Sequence, residues 1–164
     1  MARASIGANF DGFSNAVSHH PLLQENVLRD ILVELSCRLF EAVVRGRTEG
    51  YGNSTGTPVQ TGYARGQWYV EHGLPLTVAS PKGEGDVFLD PSGEGAVNRG
   101  FAKIVSSTVV GVPVWFTNGA EYAVSLEWGH SQRQAPQGMV RLATASGQRA
   151  LDDVVRKLLG KSAP

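Results

Sequence analysis

Apolar and polar positions alternate at two different periods along this chain, and the change of period marks its elements. From Pro21 to Arg47, Leu28, Ile31, Leu32, Leu35, Leu39 and Val43 recur at three- and four-residue steps. That spacing puts them on one face of a helix. Glu25, Arg29, Asp30, Glu34, Arg38 and Glu41 fall mainly on the other side. Glu25–Arg29 and Glu34–Arg38 have the favourable i, i+4 order. Pro21 suits a first helical turn, Arg45 and Arg47 suit the negative end, and Gly46 and Gly50 mark the exit. Further on, Tyr63 to Val70 reads as a short helix opened by Thr61 and running into a strand at Trp68-Tyr69-Val70. Val112 to Thr117 is rich in β-branched and aromatic residues and predicts a strand ending at the turn dipeptide Asn118-Gly119. Glu121 to Trp128 fits a strand and a helix equally, because Tyr122, Val124, Leu126 and Trp128 alternate while Tyr122, Ala123 and Leu126 share a helical face. Gly129 ends the element in either case.

The same reading gives Phe101 to Val110 as a strand, on Ile104, Val105, Thr108, Val109 and Val110, forming a hairpin with Val114–Thr117. Short strands are expected near Leu76-Thr77-Val78 and Asp86-Val87-Phe88-Leu89. Together these predict a three- or four-stranded antiparallel sheet. Gly83, Gly85, Gly93, Gly95 and Gly100 punctuate a projecting loop over about residues 80–100, with Asp90-Pro91-Ser92-Gly93 as a turn. Gly138 to Leu159 predicts a C-terminal helix whose apolar face holds Leu142, Leu151, Val154, Val155 and Leu158. Gly147 weakens its middle, which leaves one helix or two helical pieces open, and Gly160 stops it. The fold class is therefore α+β: a small antiparallel β-sheet packed by a long N-terminal helix and a C-terminal helix. Residues 1–20 form an arm without a clear pattern, residues 21–160 a single domain, and residues 161–164 a short tail.

Composition narrows the chemistry. Fifteen Lys and Arg balance fifteen Asp and Glu in 164 residues, so no bulk charge points to nucleic acid or membrane. The lone cysteine, Cys37, rules out an intramolecular disulfide framework, and its place between Leu35 and Leu39 predicts a packed thiol. No apolar run reaches membrane length, and a soluble protein made in a reducing cytosol is expected. His19, His20, His72 and His130 show no metal-ligand spacing, so no metal or cofactor is expected. Ser131 follows His130 without a strained nucleophile elbow, Glu121 and Glu127 are not obvious partners, and Gly83-x-Gly85 lacks the Lys-Ser/Thr of a phosphate loop. Catalysis is not expected. Trp128 is expected to pack on the sheet, with Gly129 as a turn and His130 on a polar rim.

Two stretches carry a family resemblance. Asn118, Glu121-Tyr122-Ala123, Leu126-Glu127-Trp128-Gly129-His130-Ser131 and Ala135-Pro136-Gln137-Gly138-Met139-Val140-Arg141 form the first. Pro58-Val59-Gln60-Thr61-Gly62-Tyr63-Ala64-Arg65-Gly66-Gln67-Trp68 form the second. With the helix before them, in this order, they resemble the neck and tail-completion proteins of long-tailed phages, the lambda minor tail protein Z type. Gln60 stands where that family has an acidic residue, and Gly66 interrupts a helix-like piece. The resemblance implies a structural protein of the virion, made in the host cytoplasm, that forms a ring of six or twelve copies at the head–tail joint. Its partners would be the connector or head-completion protein and the tail terminator or tail-tube protein, with non-specific genome DNA contact in the lumen. Arg65, Trp68, Trp128, His130 and Arg133 are the expected subunit contacts. A tail terminator capping the tube is the alternative, and a small metal-dependent hydrolase has the least support.

Overall fold

A computed structural model describes residues 25–46, 56–76, 89–129 and 137–159. The expected arm, C-terminal tail and first part of the glycine-rich loop lie outside the described residues. The fold is α+β, with helices dominating a small antiparallel sheet. Helix α1 (Glu25–Arg45) runs through its centre. The predicted stripe is only part of what α1 buries, and its residues divide between two cores. Ile31, Leu35 and Leu39 face the C-terminal helix, while Phe40, Val43 and Val44 face a larger core on another side. Leu28 and Leu32 remain half-buried. Glu34 and Arg38 pair at 2.9 Å as the spacing predicted. Arg29 instead reaches the Val105 and Thr108 carbonyls, at 2.7 and 3.2 Å.

After α1, Thr57 closes the open helix end. Its N–H and hydroxyl both donate to the Val43 carbonyl, at 2.9 and 2.8 Å. The one-turn helix α2 (Tyr63–Gly66) follows, and strand β1 (Trp68–His72) continues from it, as the sequence predicted. The Tyr63 N–H donates to the Thr61 hydroxyl at 3.3 Å.

The segment read as a loop and then a strand is a helix, α3 (Glu94–Ser107). Two physical facts overturn the strand reading. First, Asp90-Pro91-Ser92-Gly93 is more than a turn. The Asp90 carboxylate accepts the Ala96 N–H at 2.9 Å, and the Ser92 hydroxyl accepts the Glu94 N–H at 3.1 Å, which satisfies free donors of a helix start. Second, the residues that face the core, Ala96, Val97, Gly100 and Ile104, lie at helical spacing, whereas Val105 and Val109 are exposed. Gly100 belongs to the packing rather than to a loop. A Cβ there would sit 2.6 Å from Cδ1 of Phe40, so the ring lies directly on the helix backbone.

The expected hairpin between 101–110 and 114–117 is accordingly absent. Residues 108–113 connect α3 to strand β2 (Val114–Asn118), and β2 pairs antiparallel with β1, from Trp68↔Asn118 to His72↔Val114. Among the described residues the sheet has these two strands, not three or four. The strands expected near 76–78 and 86–89 lie almost wholly outside the described residues. Asn118-Gly119 also turns differently from expectation, since neither residue takes positive φ. Asn118 uses its side chain, as described below.

The ambiguous stretch resolves to a short helix, α4 (Ala123–Glu127), and Gly129 leaves it at φ 71°. The C-terminal pattern forms two helices, α5 (Val140–Ala145) and α6 (Gly147–Leu159), divided just before Gly147. On α6, Ala150, Leu151 and Val154 pack on the Ile31 side of α1, and Lys157 pairs with Glu34 at 3.0 Å. Phe116 of β2 meets Phe40 edge-on at 5.1 Å between ring centroids and also touches the α1–α6 cluster, joining the two cores. No helix among the described residues is long and apolar enough to cross a membrane.

Candidate interaction face

The end of the sheet at Trp68 and Asn118 gathers most of the residues that the sequence singled out. Asn118 binds on both sides of its amide. Its Nδ2 donates to the Ala64 carbonyl at 2.8 Å, and its Oδ1 accepts the Ala120 N–H at 2.9 Å. The Gly119 N–H donates to the Gln67 carbonyl at 2.9 Å. These three bonds fasten the loop before α4 onto α2 and the start of β1. Tyr63 and Tyr122 then lie with ring centroids 6.3 Å apart. They border a small, shallow depression lined also by Thr61, Gly62, Ala64 and Leu126. Burial pushes the Tyr122 hydroxyl's pKa up, against a bond from the Ala64 backbone, with Tyr63 adding to the rise.

Glu127 organises the next layer. It closes α4 with its side chain 5% exposed. One carboxylate oxygen accepts the N–H groups of Met139 and Val140, at 2.7 and 2.8 Å, and the other accepts the N–H of Arg141 at 3.0 Å. These are the free donors at the start of α5, and an anion there also meets the positive end of the helix. The Arg141 guanidinium folds back onto the same carboxylate and donates to the Glu127 carbonyl. Gly138, at φ 81°, provides the room: a Cβ there would lie 2.6 Å from the Glu127 carbonyl oxygen and 2.8 Å from Oε1. Glu127 therefore has a structural partner set that its separation from Glu121 gave no reason to expect.

Arg141 has a second contact. Its guanidinium carbon stands 5.4 Å from the ring centroid of Trp128, a cation–π distance. Trp128 does not pack on the sheet as expected; it is 64% exposed. The clamp of Glu127 onto α5 turns the following residue outward, and Arg141 braces one face of the indole.

The other expected contacts divide. Trp68 is 3% exposed, and its indole N–H donates to the Thr57 hydroxyl at 2.7 Å, so it serves the core and offers no surface to a neighbour. Arg65 is spent inside the molecule. Its guanidinium donates to the Thr57 carbonyl at 2.8 and 3.2 Å and to the Pro91 carbonyl at 2.8 Å, tying the loop after α1 to the cap of α3. Burial, then repulsion from Arg45, lowers its pKa against the attraction of Asp90. Replacing Arg65 with glutamate would therefore disturb the fold as well as any interface. His130 and Arg133 lie outside the described residues. Trp128 is the expected contact that the described structure leaves open.

Cys37 is half-buried, and burial, followed by the charges of Glu34 and Glu41, pushes its thiol up to about 11. That agrees with the packed-thiol reading. Among the described residues no three His, Cys, Asp or Glu side chains are placed to hold a metal ion.

Thr57, Asn118, Glu127 and Arg141 hold this end together, and sequence reasoning assigned none of those roles. Asn118 and the Glu127–Arg141 pieces did lie in the recognised stretches. Their bonds run between segments far apart in the chain, where local spacing carries no signal. Comparison of the chain with protein-family models, curated proteins and solved structures gives no match.

Proposed function

We propose that this chain is a structural virion protein that forms a ring at the head–tail joint of a long-tailed phage, joining the connector to the tail. One observation supports this reading above the rest. The described parts of the two stretches that resemble the neck and tail-completion proteins meet at one end of the sheet through Asn118, Gly119 and the Tyr63–Tyr122 pair. The described residues carrying the resemblance thus lie together at one end of the sheet. Val59, Tyr122 and Trp128 on those stretches are exposed large apolar side chains. Exposed aromatic and Arg side chains are favoured contact residues at protein interfaces. In a ring each copy meets the next through two different patches, a head-to-tail arrangement that closes only about a rotation axis.

The test is the mass of the purified full chain by light scattering after size exclusion, over a wide concentration range, alone and with purified connector and tail-tube proteins. Six or twelve copies, alone or on those templates, is the expected result. A monomer under every one of these conditions would overturn the proposal. Truncation of growing tail tubes by the purified protein would replace it with the tail-terminator reading.

A further inference from the structure

At the opposite end of the sheet, the last residue of β1 meets the end of α3. Nε2 of His72 lies 3.2 Å from the hydroxyl oxygen of Thr108. Thr108 is buried and caps α3, with its N–H 3.1 Å and its hydroxyl 2.7 Å from the Ile104 carbonyl. A hydroxyl has one proton, and a carbonyl oxygen has none to give. The Thr108 proton therefore goes to Ile104, and Thr108 faces His72 as an acceptor. That fixes the tautomer: the ring carries its proton on Nε2. Nδ1 is then a bare acceptor. It is sealed from solvent and has no hydrogen-bond partner among the described residues.

We propose that His72 is an acid-sensitive latch, a neutral imidazole whose Nε2–H···Thr108 bond holds the C-terminal end of α3 against β1 and is released when Nδ1 takes a proton. A second proton would create a buried N–H⁺ without an acceptor, which is costly in a protein interior. The charged neighbours offer no compensation. Glu71 on β1 is already paired with Lys103 of α3 at 3.5 Å. Arg29 of α1 reaches the same end of α3 and is held on the Val105 and Thr108 carbonyls. Strand β2 has no ionisable side chain. Burial, then Lys103, holds the His72 pKa below its ordinary value against the pull of Glu71, in keeping with this geometry. Release of the ring frees Thr108 beside an apolar group that is already exposed: Leu74, two residues after His72, and Val105, Val109 and Val112 around the end of α3.

The experiment uses the ¹⁵N-labelled full chain. Long-range ¹H–¹⁵N spectra from pH 8 to pH 5, with His72 assigned by its disappearance in His72→Gln, read the tautomer and the titration directly. Amide exchange at Thr108 and Val109, corrected for intrinsic rate, reads the latch. A protonated Nε2, a bare Nδ1 and a midpoint below 6.5 are expected. Exchange at the two amides should quicken at least about tenfold below that midpoint. In His72→Gln the side-chain amide donates to Thr108 without titrating, so the acceleration should vanish. An Nδ1–H tautomer, an ordinary midpoint, or equal acceleration in His72→Gln would overturn the proposal. Thr108→Val keeps the histidine and removes its acceptor. The Nε2–H preference should then weaken and the midpoint rise, and an unchanged tautomer and midpoint would count against the latch even if His72→Gln failed to fold.

Discussion

Glu127 and Arg141 hold each other from both ends. The carboxylate of Glu127 accepts the backbone N–H of Arg141 at 3.0 Å and its guanidinium N–H at 3.3 Å, while that guanidinium donates to the Glu127 carbonyl. The pair joins the end of α4 to the start of α5.

Removal of that carboxylate should cost more than an ordinary helix cap. Glu127→Ala leaves the amides of Met139, Val140 and Arg141 without their acceptor in a largely buried place, and the expected loss is about 3 kcal/mol or more. Glu127→Gln keeps one acceptor oxygen but turns an NH₂ toward the remaining donors, so it should fall between the two. Urea unfolding monitored by tryptophan fluorescence checks the order. A Glu127→Gln protein as stable as the parent would contradict the clamp.

Gly138 and Gly73 separate two reasons for glycine. Both have φ 81°, but a Cβ at Gly138 meets the Glu127 carboxylate and carbonyl, whereas at Gly73 nothing lies within 4 Å. Gly73→Ala should cost only the left-handed backbone term, about 1–2 kcal/mol. Gly138→Ala should cost clearly more, because it also pushes the clamp apart. Equal losses in paired thermal or urea unfolding would show that Gly138 is glycine for its backbone alone.

Long-range pairing explains what the sequence did and did not disclose. The α1 helix, the α2–β1 passage, the β2 strand and the weak point of the C-terminal helix at Gly147 were legible, because each is set by local spacing, a cap or a stop. Helix α3 was not. Ile104, Val105, Thr108, Val109 and Val110 have strong strand character, but Val105 ended exposed and the Asp90–Ser92 cap, Phe40 and Gly100 decided the segment for helix. The site divided in the same way. Its motif residues were visible as a pattern, yet whether an arginine or tryptophan would face inward depended on Thr57, a residue with no local mark. Trp68 and Arg65 both terminate on it.

Asp90 gives the fold an acid dependence with a definite sign. Burial works against its charge, but bonds from Ala96, Ser92 and Gly93, with the Arg99 charge, outweigh that and hold its pKa below the ordinary 3.8. A depressed carboxylate pKa means that the unfolded chain takes up the proton first as pH falls. Its stabilisation is therefore complete above about pH 3.8 and is lost as pH drops through the folded value. Asp90→Ala should lower stability near neutral pH by about 1 kcal/mol, as loss of a helix cap does. The gap from the parent should close in strong acid. A gap unchanged down to the lowest pH at which the chain is folded would show that the carboxylate charge has no part in it.

Trp128 distinguishes an interface from a structural role. It is 64% exposed, and its one ring contact of note is Arg141, whose other bonds go to Glu127 and do not need the indole. Trp128→Ala should consequently change folding stability by no more than about 1 kcal/mol, the size of an exposed cation–π contact. If the face that holds Tyr122 and Trp128 meets a neighbouring subunit, the same substitution should weaken assembly by far more, since buried tryptophans at interfaces commonly cost 2 kcal/mol or above, roughly thirtyfold in affinity. Light scattering and urea unfolding on the same preparation read the two effects separately. Lost assembly with unchanged stability would place Trp128 in the interface. Unchanged assembly would move any contact elsewhere on the surface, and a large loss of stability would mean that the indole supports the Glu127–Arg141 clamp after all.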